Sequence, residues 1–85
     1  MDIALALETV KNSCLKIYSE SESTAATVVL AEYIFKDTWT NIQLNKNKLM
    51  RGSQLVKLFE TCTRVMQHQP IQHITGTVFS SAAIS

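Results

Sequence analysis

Residues 64–76 read Arg64-Val65-Met66-Gln67-His68-Gln69-Pro70-Ile71-Gln72-His73-Ile74-Thr75-Gly76. The residues before Pro70 carry a helical pattern. Pro70 ends it, because the residue ahead of a proline is pushed out of the α region and proline has no N–H to donate. Beyond the break, Ile71 and His73 alternate with Gln72 and Ile74 before a Thr-Gly turn. That alternation predicts an extended, hairpin-like tail, with no partner strand elsewhere in the chain. A lone two-stranded ribbon is marginal in water, so the tail is expected to lead into a further domain.

Working outward, the rest of the chain is helical in pattern. Ile3, Leu7, Val10, Cys14 and Ile17 recur at spacings of four and three, which places them on one helical stripe over residues 2–18. Leu5, Leu15 and Tyr18 are expected to widen that stripe. Ser19-Glu20-Ser21-Glu22-Ser23 reads as a turn ending in an N-cap at Ser23, with a second helix to Phe35 that buries Ala26, Val29, Leu30, Tyr33 and Ile34. Thr38 is placed to cap a short helix carrying Trp39, Ile42 and Leu44, and residues 45–48 form a polar loop. A last long helix over 53–67 is expected to turn Leu55, Leu58, Phe59, Cys62, Val65 and Met66 inward. The predicted class is all-α: a small bundle of four or five helices over residues 1–69, followed by an extended linker over 70–85.

Composition fits a packed domain. Apolar residues make up 46% of the 85, too many for a disordered chain. Two glycines and one proline suit helices better than a β-sandwich. Eight basic and seven acidic residues leave a net charge of +1, which gives no sign of a nucleic-acid partner. Cys14 and Cys62 both fall inside apolar patterns and read as reduced, buried thiols of a cytoplasmic protein. The N-terminus lacks a signal-peptide pattern, and no run approaches the ~18 apolar residues of a membrane span.

Residues with catalytic potential are sparse. Cys62, His68 and His73 do not have the paired spacing of a zinc site. No glycine-rich phosphate loop occurs, and the carboxylates fall on solvent faces. Trp39 reads either as an exposed anchor for a partner or as a core residue that closes the bundle. These residues describe a binding module.

The string Arg64-x5-Pro70-Ile71-Gln72-His73-Ile74-Thr75-Gly76 resembles the segment R-x-x-x-G-E-P-I-Q-Y-I-T-G that closes the N-terminal helical domain of the HemK/PrmC family. Those enzymes transfer a methyl group from S-adenosylmethionine to the glutamine of the GGQ motif in bacterial peptide chain release factors. The layout upstream is similar too, and the resemblance covers nearly the whole chain up to about Phe79. The chain departs from the pattern at named places. His68-Gln69 stands where the family has Gly-Glu, Lys36 where a Gly commonly follows the second helix, and Thr38-Trp39 where Ser-Arg often opens the short helix. The residues after Phe79 match poorly.

The resemblance implies a release-factor-docking domain, with Arg64, Pro70, Ile71, Gln72, His73, Ile74 and Gly76 as the junction to a catalytic domain. It assigns no catalytic, cofactor-binding or metal-binding residue to this chain. The family's cofactor loop and Asn-Pro-Pro-Tyr motif do not occur in it, so the chain alone is expected to be inactive and to bind no S-adenosylmethionine. The gene is expected to continue past Ser85 with a glycine-rich loop. The implied partners are a release factor and the chain's own catalytic domain, without nucleic acid or membrane. Two other readings stand beside this one: a free-standing adaptor that pairs through Trp39 or through the tail as an added β-strand, and a small helix-turn-helix nucleic-acid binder.

Overall fold

The computed structural model describes residues 1–76, and among them the secondary structure is helical. The first helix, α1, spans Ile3–Leu15. It starts where the Asp2 carboxylate accepts the Leu5 N–H at 2.9 Å, satisfying one of the donors a helix start leaves free. Its core face holds Ile3, Leu7, Val10 and Cys14, as the spacing predicts, and Ala6, which the spacing did not pick out. The widening of that stripe is corrected: Leu5 and Leu15 are largely exposed, while Ile17 and Tyr18 pack against the core from the turn beyond the helix.

Helix α2 spans Glu20–Phe35, and its N-cap is Ser19, not Ser23. Ser19 and Glu22 form a capping box, the Glu22 N–H donating to Ser19 Oγ and the Ser19 N–H to Glu22 Oε1, both at 3.3 Å. The helix therefore begins one turn earlier than predicted and carries Ser23 into the interior. The buried face is Ser23, Ala26, Thr27, Leu30, Ala31 and Ile34. Val29 and Tyr33, expected inside, are only half-buried. Small residues take their places, and these let α2 lie close against its neighbours.

Helix α3 spans Trp39–Leu44 and is capped by the Thr38 hydroxyl, as predicted. Ile42 is buried and Trp39 half-buried, but Leu44 is 77% exposed. Helix α4 spans Gly52–Met66 and buries Leu58, Thr61 and Val65. Phe59 and Met66 are corrected from core to surface. The stripe lies on one side of the helix, and these two residues fall on its outer flank.

The N-terminus fixes how the helices stack. The Ile3 N–H donates to the Lys48 carbonyl at 2.9 Å, the Ala4 N–H to that of Lys46 at 2.9 Å, and the Met50 N–H to that of Met1 at 3.0 Å. An antiparallel bridge joins Asp2 and Leu49. Helices α1 and α4 thus start side by side and run parallel, α2 runs antiparallel to both, and each of the three packs on the other two.

The extended reading of the segment after Pro70 is corrected. Ile71–Thr75 is a fifth helix, α5, packed on α2 and α4 with Ile74 in the core at 3% exposure. The bundle expected to end at residue 69 continues through α5. Five residues cannot hold a helix by their own propensity. Burial of Ile74, with Ile71 three residues before it on the same face, supplies what propensity does not. The rest of the tail expected to be extended lies outside the described residues.

Candidate functional site at the junction helix

The segment expected to act as a junction covers the end of α4 and the whole of α5. Helix α4 ends in a Schellman arrangement, with the His68 N–H donating to the Val65 carbonyl at 2.9 Å and the Gln69 N–H to that of Arg64 at 3.2 Å. His68 holds the left-handed conformation this turn requires, with φ 63°. Pro70 follows two residues later and opens α5, where its missing N–H costs nothing. Gly76 closes α5 at φ 70°, its N–H donating to the Gln72 carbonyl at 2.9 Å.

The predicted junction residues are thus gathered in one place with divided roles. Ile71 and Ile74 face the bundle, whereas Pro70, Gln72, His73 and Gly76 are exposed. Arg64 joins through its backbone carbonyl, and its side chain points to solvent. Trp39 is not part of this site. It packs against the core from α3, and its backbone N–H donates to Glu32 Oε2 at 2.9 Å.

A groove of about 270 Å³ lies beside α5, walled by Tyr18, Ala25, Ala26, Val29 and Ile71, with Glu22 at its edge. Sequence reasoning missed it. The signal was the Ala25-Ala26 pair, two small side chains that leave a hollow on the first half of α2.

The two cysteines are not activated. Cys14 is fully buried, and burial, with Cys62 nearby, pushes its thiol up to about 11. Burial also raises Cys62, offset in part by the Ser13 hydroxyl. Neither thiol has the depressed pKa of a nucleophile. Among the described residues no three His, Cys, Asp or Glu side chains come together to hold a metal ion. No described helix is long and apolar enough to cross a membrane.

Residues 6–76 match the family model of the PrmC N-terminal domain. The chain belongs to the PrmC N-terminal domain family. The match runs from within α1 to the Gly76 that closes α5, so α5 falls inside the matched PrmC N-terminal domain. Comparison with curated proteins and with solved structures gives no match.

Two backbone positions bear on the resemblance noted in the sequence. Among the described residues, Lys36 and His68 are the non-glycine positions with positive φ, at 53° and 63°. They are also the two places where the PrmC pattern, as read from the sequence, has glycine.

Proposed function

We propose that this chain is the docking domain of a release factor glutamine methyltransferase. It holds a peptide chain release factor while a catalytic domain joined beyond Gly76 transfers a methyl group from S-adenosylmethionine to the GGQ glutamine. The membership over residues 6–76 carries this reading. Its physical role is to supply binding energy remote from the reacting atoms, which orients the glutamine without acting on it chemically.

Helix α5 supports the role. A linker that is itself a packed helix transmits the position of the bundle to whatever follows, where a flexible chain would only tether it. Cytoplasmic location follows from the substrate in this proposal.

Isothermal titration of the 85-residue chain with a bacterial peptide chain release factor tests the reading. Binding at about 10 µM or tighter is expected, worth roughly 7 kcal/mol, together with no heat of binding for S-adenosylmethionine. Absence of release factor binding at about 1 mM would overturn it.

A further inference from the structure

The 22 residues from 38 to 59 contain no Asp or Glu, yet they carry Lys46, Lys48, Arg51 and Lys57, and Lys36 stands just before them. The near-neutral total hides this concentration. The fold gathers most of these cations at one end of the bundle. Lys36, Arg51 and Lys57 line one groove with Ser53 and Gln54. Lys48 and Arg51 line a second with Leu49 and Asn45. The positive end of the α4 dipole, at Gly52, opens between them.

Lys46 lies apart from the other cations, in a third groove shared with Glu8, and a single carboxylate lines the two grooves above. Asp37 lines the second groove, but its Oδ1 accepts the Thr38 N–H at 2.8 Å and Asn41 Nδ2 at 3.0 Å. The Asp2 carboxylate caps α1. Lys57 lies over the Tyr33 ring, 4.5 Å from its centroid.

Two leucines flank the basic loop. Leu44 and Leu49 are 77% and 76% exposed, the highest values among the large apolar side chains described. They stand either side of Asn45–Lys48, on a loop pinned to the start of α1 by the hydrogen bonds at Lys46, Lys48 and Met50. Apolar anchors and cations are therefore presented on a fixed backbone, which lowers the ordering cost of binding.

We propose that residues 44–51, with Lys36 and Lys57 beside them, form a docking surface for an acidic polypeptide segment that carries apolar side chains. The surface goes beyond the junction role. It lies toward the opposite end of α2 from Tyr18 and Ile71, about 15 Å along the helix from Ala26 to Lys36, so a partner seated there leaves the α5 end uncovered. Charge complementarity selects the partner and speeds its encounter, and the leucines add contact area. Nucleic acid fits less well. The most exposed apolar side chains among these cations are Leu44 and Leu49, whereas the Tyr33 and Phe35 rings beside them are half-buried, and a single strand is held by stacking on open aromatic faces.

NMR titration of the 85-residue chain tests this, with a synthetic peptide of repeated Glu-Glu-Leu as the probe. Amide shifts confined to residues 36–57 are expected. The affinity should fall about tenfold in the Lys48→Glu/Arg51→Glu variant and severalfold in Leu44→Ser/Leu49→Ser, and it should weaken at about 1 M salt, where the screening length is about 3 Å. All four residues are exposed or on the surface loop, and an unchanged circular dichroism spectrum verifies that each variant folds. The proposal is overturned by shifts elsewhere on the bundle, by equal shifts with a Lys-Lys-Leu peptide, by variants that bind as the parent does, or by a single-stranded RNA oligonucleotide that binds more tightly than the acidic peptide.

Discussion

Lys36 and His68 share one backbone conformation: each closes a long helix, α2 and α4, in the left-handed region, at φ 53° and 63°. An L side chain pays roughly 1–2 kcal/mol there, and glycine nearly nothing. Both side chains are exposed, so neither gains packing in return. Lys36→Gly and His68→Gly should each raise stability by up to about 1 kcal/mol, the relief being partly cancelled by the extra freedom glycine gives the unfolded chain. Urea unfolding of the two variants checks this, and lower midpoints in both would contradict it.

Leu30 and Leu58 are fully buried, one on α2 and the other on α4. Leu30→Ala and Leu58→Ala should each cost ~2–4 kcal/mol, through lost transfer energy and the cavity left behind. Leu44→Ala, at an exposed site, should change stability by less than about 0.5 kcal/mol. Thermal melts compare the three directly.

Ser23 Oγ is buried with no hydrogen-bond partner among the described residues. A buried hydroxyl left unpaired costs about 1–3 kcal/mol of lost hydration. Ser23→Ala should therefore stabilise the fold by about 1 kcal/mol, whereas Ser19→Ala, which removes the cap of the same helix, should destabilise it by about 1 kcal/mol. Opposite shifts in unfolding midpoint from two serines four residues apart are the expected result.

Cys14 makes the fold sensitive to alkali. Its folded pKa, about 11, lies above the ordinary 9.0 because burial disfavours the thiolate. Below about 9 both states keep the proton and the full contribution is present. Between about 9 and 11 the unfolded chain loses the proton while the folded protein keeps it, so stability falls as pH rises. Melting temperatures across that window should decline more steeply for the parent than for Cys14→Ala. Parallel profiles would show that this thiol does not contribute.

Much of the bundle is legible from spacing alone. The stripe Ile3, Leu7, Val10 and Cys14 and the Thr38 cap are where the periodicity and the hydroxyl predict. Such features depend on residues within a turn or two of one another, which a sequence displays directly. Ser19 shows the limit: its capping box with Glu22 was visible as S-x-x-E, but Ser23 competes for the same role, and burial decides between them.

The sequence by itself determined an all-α chain with its helices in order and the Pro70–Gly76 motif at its close, because apolar period, caps and breakers are local. Only the tertiary structure decided that Ile71–Thr75 is a helix. Five residues are consistent with either backbone, and the burial of Ile74 against α2 and α4 tips the choice. It also decided that Phe59 and Met66 face solvent, and that Lys36 joins Arg51 and Lys57 along one groove. Those outcomes turn on which helix lies beside which, and that is set by contacts between residues far apart in the chain.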